Sequence, residues 1–233
     1  MNKACRVSGP PCWKSTETVG YLGFMSSKVR PLYFLHITKT AGTSIEAAGL
    51  EHGIKWGINS EWSRLNLETI HRHHWHLSLS KWKPEHRREL LEKFESFVVV
   101  RDPVERVVSE YRCGAGNKLG TGKSKWLFNC VIFRYLLAVL LREGIAWNGH
   151  WEPQHRFIFY RGKKLISHIL RFSHLEEDLN CLMKSRGIEL KLPHRKKGVD
   201  YAFGSKDIYA VNHILIRLVY FFDYLFLRKF WVK

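Results

Sequence analysis

The run Pro31-Leu32-Tyr33-Phe34-Leu35-His36-Ile37 is apolar and aromatic, and it breaks into Thr38-Lys39-Thr40-Ala41-Gly42-Thr43-Ser44 before Ile45-Glu46-Ala47-Ala48 resumes. A short apolar run ending in small polar residues predicts a buried strand, and the alanine-rich resumption predicts a helix start. Strand, loop and helix in that order commit this part of the chain to an α/β arrangement. The same order makes an anion cradle, because the loop and first helical turn present unpaired N–H groups and the helix dipole adds partial positive charge. Lys39 supplies a full charge, and Thr40, Thr43 and Ser44 supply hydroxyl donors. An ordinary strand-to-helix turn with a solvated lysine is the alternative. The commonest phosphate loop, G-x-x-x-x-G-K-[ST], is disfavoured, since Lys39 precedes the only glycine.

A second stretch has the same build. Phe97-Val98-Val99-Val100 predicts a buried strand, and Asp102 followed by Pro103 predicts a helix N-cap with proline in the first turn. Val104, Val107, Val108 and Tyr111 fall at helical spacing and are expected to face the sheet. Arg101 then ends the strand and Ser109 lies about two turns into the helix. Both belong near the carboxyl edge of the sheet, where open α/β sheets bind ligands. An Arg–Asp pair closing a strand, with an exposed helical serine, is the alternative.

Taken together, K-T-A-G-T-S after one strand and R-D-P-x-x-R-x-x-S-x-Y after another resemble the paired phosphate motifs of sulfotransferases that use 3′-phosphoadenosine 5′-phosphosulfate (PAPS). The resemblance is to the carbohydrate (family 2) members and runs from Leu32 to Tyr224. It implies a P-loop-like, three-layer α/β domain with a central parallel sheet flanked by helices. Lys39, Thr40, Ala41, Gly42, Thr43 and Ser44 would hold the 5′-phosphosulfate, Lys39 also acting in catalysis, while Arg101 and Ser109 would grip the 3′-phosphate. The partners implied are PAPS and a hydroxyl acceptor on a glycan, with an anionic acceptor as one option. No metal and no nucleic acid are expected. Relatives of this type are usually anchored in the Golgi, but no signal or anchor is seen, and a soluble cytoplasmic form is the other option.

Between the motifs stands His71-Arg72-His73-His74-Trp75-His76-Leu77-Ser78. Its spacing matches no zinc pattern, and adjacent positions cannot all face one ion. A solvated basic loop is one reading. The other is acid–base work, since transfer to a hydroxyl needs a proton acceptor and histidine suits that role. Related enzymes carry a catalytic histidine in this stretch, which puts His76 first and His74 second, with Glu46 as the fallback. Further on, His150-Trp151-Glu152-Pro153-Gln154 resembles a loop bordering the acceptor site. A Trp face can stack on a sugar while His150 and Gln154 bond its hydroxyls; Trp151 in the core is the alternative.

Strands are expected at 155–160 and 165–172, and a capping box at 173–176 opens a helix that runs to Lys184 and stops at Gly187. Helices are expected at 84–94 and 126–141, the latter buried and too short for a span of about 20 residues. Residues 114–123 are glycine-dense loop, a substrate flap or a plain linker. Within 192–198, Arg195-Lys196-Lys197 is either a phosphate or acceptor contact or a solvated turn, and the asparagine usual in the family's loop is absent. Residues 1–30 are expected to be a flexible leader, followed by one domain over 31–233. The formal net charge of +17 calls for an anionic partner or surface. A triphosphate-using kinase or hydrolase and a non-catalytic basic module binding glycan or nucleic acid are the rival classes. The C-terminal stretch from Ser205 is helical in pattern, interrupted by Arg217, Asp223, Arg228 and Lys229, and expected to pack on the domain rather than lie on a membrane. Asp223-Tyr224 matches a pair that closes the domain in relatives.

Overall fold

The computed structural model describes residues 30–54, 56, 77–113, 124–141, 150–192 and 203–231. Three parallel strands form its centre, β1 (Leu32–Phe34), β2 (Glu95–Val100) and β5 (His168–Arg171), in the order β1-β2-β5. Phe34 lies opposite Phe97 in one ladder, and Val100 opposite Arg171 in the other. The central strand β2 is apolar without alternation because both its faces are covered. Val98 and Val100 join Tyr33, Leu35, Ile37 and Leu90 on one face. Phe97 and Val99 join Phe34, Ile45, Ala48 and Leu179 on the other. The helices that fill these faces are α1 (Gly42–Glu51) and α6 (Leu175–Lys184) on one side and α2 (Pro84–Lys93) on the other. A parallel sheet between helical layers is therefore the architecture, as the two motifs predicted.

A third core lies among helices and takes in Trp151 and Ile208 from the segments between them. It is formed by α3 (Pro103–Cys113), α4 (Lys125–Leu140) and α7 (Ala210–Val219). Val107, Val108 and Tyr111 of α3 pack here with Phe128, Ile132 and Ile216. The expectation that this face of α3 meets the sheet is corrected: Tyr111 sets its ring edge-on to Phe128 at 4.7 Å instead. Spacing reports which face is buried, not which neighbour buries it. The helix expected at 126–141 forms, capped by Ser124 accepting from the Leu127 N–H. Its inner face is buried, while Trp126, Phe133 and Leu137 are exposed.

The segment 155–160 also departs from expectation. Instead of one strand, it makes the single turn α5 (His155–Ile158) and then β3 (Phe159–Tyr160), which pairs with β4 (Lys163–Lys164) around Arg161 and Gly162, both left-handed. The cause is remote. Asp223 of α8 (Phe221–Leu227) accepts the N–H groups of Gln154 and His155, each at 2.8 Å, and so caps a helical turn. The 165–172 strand shortens to β5, and the expected capping box is absent. A 3-10 turn, Phe172–His174, precedes α6 instead, and Asp178 reaches back to the Arg171 N–H at 2.7 Å. The stop at Gly187 stands: its φ is +71°, and the Ile188 N–H returns to the Met183 carbonyl.

The C-terminal pair α7 and α8 is half buried. Asn212, Ile216, Tyr220, Asp223 and Leu227 face inward, but Ile214, Leu218, Phe221 and Leu225 are more than half exposed. Packing on the domain thus accounts for one face alone. Among the described residues no single helix is long and apolar enough to cross a membrane.

Candidate active site

Chain direction places the first cradle. From the end of β1 the chain runs on beside β2, with the Leu35 N–H on the Phe97 carbonyl at 3.0 Å, and turns at Thr38. Lys39 and Ala41 then take left-handed φ values of 61° and 68°. Such conformations cost roughly 1–3 kcal/mol each in non-glycine residues and concentrate at ligand-binding turns. Ala41 is the N-cap of α1, and no side chain caps that helix. Ser44 and Ile45 donate to the Ala41 carbonyl, so among the described residues it is the N–H groups of Gly42 and Thr43 that are left for another acceptor.

Beneath the loop lies an unforeseen support. The His36 ring is buried, stacked on Phe34 with centroids 5.5 Å apart, and its Nδ1 is 3.1 Å from Glu46 Oε1. It fills the space under Gly42 so closely that a Cβ there would meet His36 Nε2 at 1.8 Å. Gly42 is needed for this approach. Thr40, expected to offer its hydroxyl outward, is wholly buried and donates to the Ile37 carbonyl at 2.7 Å, so it shapes the loop. Lys39, Ala41 and Ser44 are half-buried and Thr43 is exposed, on the loop's outer side. Glu46, the fallback base, is buried against His36.

The second motif lies beside the first. Arg101 Nη1 donates to the Lys39 carbonyl at 3.3 Å, Nε to Glu105 at 3.3 Å, and the guanidinium carbon sits 4.1 Å over the Phe172 ring. Burial pulls the Arg101 pKa down, with Glu105 opposing. Asp102 Oδ1 accepts from the N–H groups of Val104 at 2.8 Å and Glu105 at 3.1 Å, the predicted cap. Burial raises its pKa, against those two bonds. Ser109 is half-buried on α3, two turns further along.

The side chain that knits the region together was passed over in the sequence. Arg106, 2% exposed, donates to the Thr38 carbonyl, Thr38 Oγ1, the His150 carbonyl and the Glu152 carbonyl, all within 2.8–3.1 Å. It joins the Lys39 loop, α3 and the 150–152 segment in one cluster. An arginine next to Val107 and Val108 was the available signal, since a cation so flanked must find carbonyls.

The H-W-x-P-Q residues divide. His150 Nδ1 lies 3.0 Å from Glu110 Oε2; Glu110 is buried, while the His150 side chain is 31% exposed. Trp151 is 5% exposed, and Tyr135 covers one ring face at 4.8 Å, parallel within 5°. Gln154 is fully buried and clamps the Arg101 backbone, accepting from its N–H at 3.0 Å and donating to its carbonyl at 2.8 Å. Sugar stacking by Trp151 and hydroxyl contact by Gln154 are corrected accordingly: neither has an open face, and Gln154 instead holds Arg101 in place. His74 and His76 lie outside the described residues, as do 114–123, 193–198 and the leader through residue 29. No group of three or more His, Cys, Asp or Glu among the described residues is placed to hold a metal.

Compared with known proteins, the chain matches the model of the sulfotransferase family over residues 23–210. Neither the curated proteins nor the solved structures compared with it give a match.

Proposed function

This chain belongs to the sulfotransferase family, and on that premise we propose that it moves the sulfuryl group of PAPS to a hydroxyl of a carbohydrate or glycan. The observation that carries the reading is the contact of Arg101 with the Lys39 carbonyl, which sets two anion-binding turns side by side at the carboxyl ends of adjacent parallel strands. That spacing suits one bisphosphorylated nucleotide held at both ends. The uncapped start of α1 and the Lys39 ammonium receive the 5′ end, in a P-loop-like manner. Arg101, backed by Gln154 and Phe172, receives the 3′-phosphate with Ser109.

The reaction is an in-line displacement at sulfur, chemically close to phosphoryl transfer. The acceptor oxygen forms its bond to sulfur as the bond from sulfur to the 5′-phosphate oxygen breaks. Lys39 and the loop N–H groups stabilise the charge that grows on that leaving oxygen. A histidine takes the acceptor proton. His76 and His74 are the candidates from sequence, and His150 joins them, since buried Glu110 orients its ring and leaves it reachable.

The test is thermal shift with 3′-phosphoadenosine 5′-phosphate, ATP and heparin, followed by labelled PAPS with a panel of desulfated glycans. The bisphosphate should raise the melting temperature, and label should pass to a glycan. Stabilisation by ATP alone would favour a triphosphate enzyme. Stabilisation by heparin alone, lost steeply with salt, would favour a basic binding module.

A further inference from the structure

The exposed side of α7 and α8 is as apolar as the buried side. Val211, Ile214, Leu218, Phe221, Phe222 and Leu225 are each 48–61% exposed along two helices bent by 68°. Beside them a cavity of about 440 Å³ is lined on one side by Leu140, Leu218, Val219, Phe221 and Phe222, with Glu152, His155 and Arg156 on its other wall. Six large apolar side chains exposed on two neighbouring helices mark an interaction site.

Its border is cationic. Arg217, Arg228 and Lys229 are exposed on the same helices and the turn that ends them, where the single acid, Asp223, is buried. The β3–β4 hairpin adds Arg161, Lys163 and Lys164, all exposed. It lies against α8, with Phe159 and Phe226 ring centroids 5.2 Å apart. Partial burial lowers the Lys164 pKa, and the neighbouring charge of Lys229 lowers it further.

We propose that this face docks on an anionic lipid surface, α7 and α8 lying in the interface with their apolar side chains in the acyl boundary and the basic rim at the headgroups. Charge selects this occupant. A second copy would bring one cationic rim against another on a chain of net charge +17. Residues 1–29, with Lys3, Arg6, Lys14 and Lys28 against Glu17 alone, offer no complement either. An anionic bilayer satisfies both the apolar helices and their border. The cavity gives an acyl chain a place to enter.

The experiment is vesicle co-sedimentation of the full chain on phosphatidylcholine with and without phosphatidylserine, with sedimentation velocity in the absence of lipid. Binding should require phosphatidylserine. The triple variant Leu218→Gln, Phe221→Gln, Leu225→Gln should weaken it about a hundredfold. Arg228→Gln with Lys229→Gln should weaken it about thirtyfold on anionic vesicles. All these positions are exposed, and an unchanged urea midpoint verifies that each variant is folded. The proposal is overturned by failure to bind vesicles, by equal binding to neutral ones, or by full binding of the folded triple variant. A concentration-dependent dimer that the triple variant abolishes would assign the face to a second copy and overturn it as well.

Discussion

Gly42→Ala isolates the packing beneath the Lys39 loop. A methyl at this position starts 1.8 Å from His36 Nε2 and 2.2 Å from its Cδ2. The ring must withdraw by about 1.5 Å or more to reach ordinary contact. It has little room, being buried against Phe34 and held by Glu46. Overpacking of this kind costs about 1–3 kcal/mol, and a broken His36–Glu46 contact adds about 1–3 kcal/mol. The expected loss is thus about 2–6 kcal/mol, measured by urea denaturation. At an unobstructed helical position the same substitution stabilises by roughly 0.5–1 kcal/mol, so even the sign discriminates. The cycle with His36→Ala should show a favourable coupling of about 1–3 kcal/mol, because removing the ring removes the obstacle. A neutral or stabilising Gly42→Ala, or single effects that add within about 0.5 kcal/mol, would refute the account.

Lys39→Ala should lower the transfer rate by about 10²–10³-fold with folding intact, measured with labelled PAPS, if its charge acts on the leaving group as proposed. Arg101→Ala should instead weaken binding of 3′-phosphoadenosine 5′-phosphate by about 10- to 100-fold, measured calorimetrically, as expected for one charge-assisted phosphate contact. Asp223→Ala leaves the Gln154 and His155 N–H groups and the His155 ring without their acceptor, and should cost about 3–5 kcal/mol in urea denaturation. Arg106→Ala strands the Thr38 and Glu152 carbonyls and leaves that of His150 with the Thr38 hydroxyl alone, and a loss of about 3 kcal/mol or more is expected by the same measurement.

What could be read in advance was local. The strands at 32–34 and 95–100, the Asp102 cap and the Gly187 stop are each written within a few neighbouring residues. What escaped was long-range. The turn at 155–158 exists because of a carboxylate 68 residues away, and no window around His155 contains it. Tryptophan and glutamine at 151 and 154 suit a sugar site by type, yet Tyr135 and the Arg101 backbone claim them. The outer face of α7 and α8 eluded the reading for a related reason. Both faces are apolar, so periodicity cannot say which is covered.

The Asp223 link carries a consequence for truncated alleles. A stop codon anywhere between residues 203 and 222 spares every residue of both phosphate motifs, and a domain scan would score the product as nearly whole. Yet that product lacks the carboxylate that seats Gln154, and with it the brace behind Arg101, the residue proposed for the 3′-phosphate. On the proposed function, such alleles are expected to lose donor binding, however complete their motifs look.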